Sequence, residues 1–527
     1  MNSHYHLLSA SFLRKHNPVW GAGKTFQPNR FQDNSMTMNS EYAMKLRSIH
    51  PWMWVASLTI LGAALRIIDL NSGLWLDEIM FLVNTVRHPL AQIVTVFPGD
   101  TQHPLYSILA RLSIDLFGEH PWSLRLPAMI LGTLSIPAIY MLGIAVTTQA
   151  EALIAAALLS VSYHHVWFSQ DARGYTTLAF CALLSTIFLL EGIRTGRRRS
   201  YILYAVAASL GIYTHLTMTF LVATHGIICA AHAASDWKKG LSLVKWRRAI
   251  EAFVLTAVLT LLFYAPILTQ VLHFFVRSPS TMVAVSTPRW AMLEALRGLT
   301  LGLGSVGILV LAALVVFCGA WSYYRESRLV FSLFALPVAL TAIGAFLGRG
   351  TMYPRFYFFL IGFAILFVVR GMVVVPRWLL ARMPEGSAGV NIRLARGLST
   401  ALVTILIVGS AFSLVRNYKY PKQDYESAIR FVNAERQPGD PAVTAGATTF
   451  PIFEYYAEPW ESVESLEQLQ AICSQGRPVW MVTTFPRYLE SWRPSLAAMI
   501  RQKFEIIRVF PGTVGDGDVY VARFQPR

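Results

Sequence analysis

Along most of the chain the apolar positions follow neither a strand period nor a one-sided helical period. They fill continuous runs near the length of about 20 residues that a helix needs to cross the apolar core of a bilayer. Such runs occupy 51–68, 123–146, 150–168, 175–193, 201–215, 216–234, 250–272, 301–323, 328–348, 355–375 and 397–416. A shorter run, 104–118, carries Arg111 and Asp115. Basic residues collect between the runs, at Arg14 to Arg47, Arg194 to Arg199, Lys238 to Arg248, Arg325 with Arg328, and Arg377 to Arg396. Lys and Arg mark the cytoplasmic loops of membrane proteins. All five clusters share one side only if 104–118 lies as a helix on the outer surface. The pattern predicts eleven spans, with the N-terminus inside and the C-terminus outside.

Residues 1–50 are polar, lack the apolar core and small-residue cleavage site of a secretory signal, and read as a disordered cytoplasmic segment, with Met36, Met38 or Met44 as alternative starts. Residues 51–416 form the membrane body. After a Tyr-Pro junction, residues 417–527 change texture. Asp424–Gln437 has an amphipathic helical period, helices are expected at Val463–Cys473 and Tyr488–Lys503, and short strands at Ala442–Ala445, Val479–Thr483, Ile506–Phe510 and Val519–Phe524. The fold class is therefore a mainly α polytopic membrane protein carrying a small extracytoplasmic α/β domain, in which nothing looks catalytic.

Composition agrees: 54% of residues are hydrophobic and 14% charged, against about a quarter charged in soluble domains. The net charge of +16 would suggest nucleic acid in a soluble protein, but residues 417–527 hold 12 basic and 13 acidic side chains. The excess lies in the cytoplasmic loops and sets topology. Nucleic acid is excluded as a partner, and the membrane is implied as one. Cys181, Cys229 and Cys318 fall in apolar runs and Cys473 stands alone, so no disulfide framework or zinc spacing is present.

Ionisable groups at the outer surface are costly and stand out. Leu74-Trp75-Leu76-Asp77-Glu78 follows the first span and offers two carboxylates in an apolar setting, suited to a general base and its partner. The structural alternative is that Asp77 caps a helix over Glu78–Val86. Ser169-Gln170-Asp171-Ala172-Arg173-Gly174-Tyr175 sets an acid and a base between the third and fourth spans, either as a functional pair or as a structural contact. Thr101-Gln102-His103-Pro104 leads into the surface helix and Tyr213-Thr214-His215 sits at an outer turn; each His also reads as a hydrogen-bonded turn residue. His164-His165 would bind a metal only if other ligands converged, because neighbours on a helix point apart. Arg349 and Tyr353-Pro354-Arg355-Phe356-Tyr357 precede the tenth span. A guanidinium there suits a lipid phosphate, and the aromatic residues suit an interfacial belt. Neither a nucleotide-binding P-loop nor the repeated broken helices of a transporter core occurs.

The series Leu76-Asp77-Glu78, His103-Pro104-Leu105-Tyr106, Leu116-Phe117-Gly118-Glu119, Ser123-Leu124-Arg125-Leu126-Pro127-Ala128 and Ser169 to Tyr175 resembles the membrane glycosyltransferases of the GT-C class. Within that class it is similar to glycosyltransferase family 39 and its bacterial relatives: protein O-mannosyltransferases, the aminoarabinose transferase of lipid A, and rhizobial lipopolysaccharide glycosyltransferases. The ordered series covers about residues 50–235. The resemblance implies an inverting enzyme with a polyprenyl-phosphate sugar donor and an acceptor hydroxyl on lipopolysaccharide, another envelope glycan, a lipid or a protein. It implies Asp77 as catalytic base and Asp171 as the second acid of the class. Arg355, with Tyr353 beside it, matches the basic residue that meets the donor phosphate, and His215 stands where the aminoarabinose transferase type has a Lys. Single Pro104 after His103 departs from the paired prolines of many relatives. Metal use varies across the class, so no metal or other cofactor is implied.

On this reading Asp77 takes the acceptor's proton, Arg355 with His103 or His215 stabilises the leaving phosphate, and Glu78, Asp171 and Arg173 orient the acceptor or support Asp77. The C-terminal domain and the loop 273–300 close over the site. Two rivals are a transporter or flippase of a polyprenyl-linked sugar, and an assembly scaffold, the latter favoured if the two outer acids stand far apart.

Overall fold

A computed structural model describes residues 49–99, 102–277, 293, 296–298, 306–347, 354–380 and 388–526. Nearly all of the segment 1–50, most of the loop 273–300, Arg349 and Tyr353 lie outside the described residues.

The helical body begins with α1 (Ile49–Ile67), followed by α2 (Leu76–Phe81), α3 (Leu90–Thr95) and α4 (Pro104–Phe117) in the first loop. Then come α5 (Pro121–Val146), α6 (Gln149–Val161), α7 (Tyr163–Ser169), α8 (Tyr175–Thr195), α9 (Arg198–Thr214), α10 (Met218–Lys238), α11 (Val244–Tyr264) and α12 (Leu268–Arg277). The last four are α13 (Val306–Glu326), α14 (Arg328–Leu347), α15 (Ile361–Leu380), entered by a 3-10 turn over Pro354–Leu360, and α16 (Ala388–Lys419).

Every expected span coincides with a helix or a bent pair. Among the described residues six helices are long and apolar enough to cross a membrane, or eight crossings if each bent pair is one span. The other three expected spans, α1, α9 and α14, are helical as well. The bends have local causes. Between α6 and α7 the axis turns by 56° at Ser162, whose hydroxyl accepts the His165 amide and starts a new helix. Between α11 and α12 it turns by 91° at Ala265-Pro266, where proline cannot continue the helical hydrogen bonds. The expected span 250–272 therefore ends at Tyr264. Beyond the bend, Gln270 of α12 bonds the backbone of Thr95 and Phe97.

Helix α4 is amphipathic, burying Tyr106, Ala110 and Ile114 while Leu112, Leu116 and Phe117 face outward. Where α13 crosses α15, Gly319 and Gly371 let the backbones touch: a Cβ on either would come within 2.0 Å of the other helix's carbonyl oxygen. Arg370 of α15 ties these helices to α6 through Glu151 at 3.0 Å and through Glu326.

In the tail, α17 (Tyr425–Glu435) leads into β1 (Ala442–Ala445), β2 (Glu461–Val463), α18 (Leu466–Cys473), β3 (Val479–Thr484), α19 (Pro486–Trp492), α20 (Pro494–Lys503), β4 (Glu505–Phe510) and β5 (Val519–Phe524). The sheet order is β2-β1-β3-β5-β4, parallel among the first three and antiparallel beyond. Strand β2 was not expected, and Pro494 divides the expected helix 488–503. Side chains alternate faces along β3. Val479 and Met481 pack with Leu469 and Leu496, while Trp480 and Val482 join a core with Ile429 of α17, Ile79 and Leu82 of the first loop, and Tyr106 of α4. The tail thus shares its core with the first loop.

Candidate active site

The two adjacent acids of the first loop part company. Successive helical residues lie about 100° apart, and at the start of α2 this turns Glu78 inward and Asp77 outward. Glu78 is fully buried and grips Arg125 of α5 with both oxygens, at 2.6 and 2.7 Å. It also accepts the backbone amides of Ala172 at 2.7 Å and Trp75 at 3.3 Å. The remaining Arg125 donors reach the carbonyls of Leu70, Ser72 and Gly73. Burial alone would raise the Glu78 carboxyl, but the charge and hydrogen bonds of Arg125 outweigh it and hold it below the usual range. Glu78 therefore fastens the first loop to α5 and to the turn at 170–174. Asp77 accepts a hydrogen bond from Arg355 Nη1 at 3.0 Å, with the two side chains 22% and 28% exposed, so a substrate can reach both. Asp77 makes no capping bond.

The second acid stands in the same network. Asp171 accepts the Trp75 indole N–H at 2.8 Å on Oδ1, while its buried Oδ2 has no hydrogen-bond partner among the described residues. Burial, and then the Glu78 charge, push its carboxyl up to about 6. The raised value has a definite sign in stability. Between about 4 and 6 the folded chain holds a proton that the unfolded chain has released, so this group makes stability fall as pH rises through that window. Asp171→Asn is expected to remove that decline from a Tm-against-pH profile; an unchanged profile would count against it.

The side chain of Arg173 does not pair with Asp171. It is 4% exposed, its Nε has no hydrogen-bond partner, and among the described residues no carboxylate forms a salt bridge with it.

Against this guanidinium sit two imidazoles. The rings of His103 and His215 are 5.1 Å apart, flanked by Tyr175 and Phe356. Burial, then the charge of Arg173, lowers both: His103 well below the ordinary value and His215 to about 4. The Thr217 backbone N–H donates to His215 Nδ1 at 3.2 Å, so the neutral ring carries its proton on Nε2. Nδ1 of His103 has no hydrogen-bond partner among the described residues. Gly174 makes the approach feasible, since a Cβ there would lie 2.8 Å from His103 Nδ1 and from Thr214 Cγ2.

Of the residues singled out in the sequence, the structure brings Asp77, Glu78, Asp171, His103, Arg173, His215 and Arg355 to one end of the helical body. The sequence reading missed four supports. Arg125 and Arg66 carried a signal, being charges inside apolar runs; Arg66 is fully buried against Ser169, His165 and the carbonyls of Gly62 and Ser160. Lys422 and Gln423 in the polar junction carried none. His164 and His165 diverge, to the Gly298 carbonyl and to Arg66, and no cluster of three metal-type ligands occurs among the described residues.

Residues 101–269 match the model of a family described as dolichyl-phosphate-mannose-protein mannosyltransferase. That stretch includes His103, Asp171, Arg173 and His215 but neither Asp77 nor Arg355. No curated protein matches the chain. Among solved structures, ArnT from Cupriavidus metallidurans in the apo state aligns with TM-score 0.52 and 16% identity over 89% of this chain and 97% of its own. The same protein bound to undecaprenyl phosphate aligns with TM-score 0.50 and 15% identity over 90% and 98%. The archaeal oligosaccharyltransferase AglB from Archaeoglobus fulgidus, in complex with an inhibitory peptide and a dolichol-phosphate, aligns with TM-score 0.50 and 12% identity over 90% and 74%. These likenesses establish the fold, and the family match lies on its central helices. The chain therefore shares the membrane-protein fold of ArnT and AglB, and its residues 101–269 resemble the mannosyltransferase family.

Proposed function

We propose that the chain moves a sugar from a polyprenyl-phosphate donor to an acceptor hydroxyl, with inversion, at the extracytoplasmic face of a bacterial cytoplasmic membrane. The observation that carries this reading is the pairing of an accessible carboxylate, Asp77, with Arg355 beside a buried guanidinium, Arg173, that forms no salt bridge among the described residues. A buried cation with no direct salt bridge is costly, and a phosphate monoester supplies a direct partner. The Nε2–H of His215 adds a neutral donor. The tail domain and the phosphate site share one end of the body, and the positive-inside bias of the basic clusters in the sequence supports reading that end as extracytoplasmic.

Asp77 accepts the proton of the acceptor hydroxyl as its oxygen bonds to the anomeric carbon. The bond from that carbon to the phosphate oxygen breaks on the opposite face, and the electron pair leaves with the polyprenyl phosphate. Donor phosphate competes with Asp77 for Arg355, so donor binding itself frees the base. Glu78 positions the loop; Asp171 and Arg173 face the bound substrates. A transporter gains no support, because the arginines Arg66, Arg125 and Arg370 within the helices are already satisfied by protein groups.

The test is a mass comparison of envelope glycans, lipids and proteins from cells with and without the chain. One species heavier by a single sugar only when the chain is present is expected; no difference in any fraction would contradict the proposal.

A further inference from the structure

Between α16 and α17 the chain passes through a short strap, Pro421–Gln423, whose two polar side chains, Lys422 and Gln423, are buried. Lys422 is buried with its ammonium 4.8 Å from the Trp167 ring centre, and it donates to the carbonyl of Gln170, the residue before Asp171. Gln423 is 1% exposed, and its Oε1 accepts the backbone N–H of Leu76, the residue before Asp77, at 2.9 Å. Its Nε2 donates to the Thr484 hydroxyl at the end of β3 at 3.0 Å, and that hydroxyl donates to the Asp518 carbonyl at 3.0 Å. Tyr425 donates to the same Oε1 at 3.1 Å. The strap's own backbone is held by the tail: the amides of Thr513 and Val514 donate to the carbonyls of Pro421 and Lys422 at 3.0 and 3.2 Å.

One amide side chain thus links the sheet of the C-terminal domain to the amide beside the base, and one ammonium links the same strap to the turn bearing the second acid. Neither touches Arg355, Arg173, His103 or His215. We propose that Lys422 and Gln423 are positioning residues through which the C-terminal domain sets Asp77 and Asp171 in register. The consequence is that whatever engages the C-terminal domain is felt at the base. This inference rests on the function proposed above, in which Asp77 is the base.

Two readouts test it, one kinetic and one independent of activity. Gln423→Met keeps the volume and removes all three hydrogen bonds; a displacement near 1 Å at the base costs about a hundredfold in rate. Turnover per folded molecule is expected to fall about 10- to 100-fold while donor KM stays within about twofold. Thr484→Val, wholly within the C-terminal domain, is expected to give a smaller loss, and the double variant no more than Gln423→Met alone. In hydrogen exchange, both single variants should speed exchange in the segment 74–86 by about three- to tenfold, the equivalent of one hydrogen bond. Turnover per folded molecule within twofold of wild type for Gln423→Met, a loss residing in donor KM, or unchanged exchange in 74–86 would each overturn the proposal. Wild-type protein that transfers no sugar would instead overturn the function, and the exchange measurement would still decide whether the strap couples the two parts.

Discussion

Asp77→Asn is expected to lower transfer by about 10²- to 10⁴-fold, the range that a positioned general base contributes, without raising donor KM. The asparagine keeps the shape and an acceptor oxygen for Arg355, but cannot take the acceptor's proton. It also removes the carboxylate that competes with donor phosphate for Arg355, paired at 3.0 Å in the free protein, so donor binding should hold or tighten. Loss of turnover with unchanged or lower KM marks an interaction needed in the transition state only. Glu78→Gln cannot reproduce this signature, because Glu78 has its oxygens engaged by Arg125, Ala172 and Trp75. Transfer by Asp77→Asn at the wild-type rate would move the base to Asp171.

The second large effect lies one residue on. The Glu78–Arg125 pair has both side chains at 0% exposure, and removing one partner strands a buried charge. Such breaks cost about 3–5 kcal/mol, so Glu78→Gln or Arg125→Met should lower the Tm of the detergent-solubilised protein sharply. Replacing both should recover much of the loss, since an apolar or neutral pair leaves no uncompensated charge. A double variant no more stable than either single one would mean that the loop is held by its backbone bonds to Arg125 instead of by the ion pair.

How much of this was legible depends on the kind of signal. Helices were readable because the bilayer demands runs of a given length, whereas the bends at Ser162 and Ala265-Pro266 were not, since the apolar run continues across each. Strand β2 escaped because three residues, Glu461-Ser462-Val463, carry no period. Asp77, Asp171, His103, His215 and Arg355 stood out as candidates because polar groups at the ends of apolar runs are few. Their division of labour was not: which of Asp77 and Glu78 faces the site depends on the phase of α2. That Arg173 lacks a carboxylate partner depends on its three-dimensional neighbours. Gln423 is an ordinary amide in a polar segment, and only folding sets it against Leu76.

On the proposed function, this site breaks the bond between a sugar and a polyprenyl phosphate. The direct measurement is the fate of a labelled polyprenyl-phosphate sugar in proteoliposomes holding the purified chain and an acceptor extract. The account expects free polyprenyl phosphate to appear in equal amount with glycosylated acceptor, its anomeric centre inverted, and neither to form with Asp77→Asn. Donor that crosses the bilayer with its sugar still attached, or a product that keeps the donor's anomeric configuration, would contradict it.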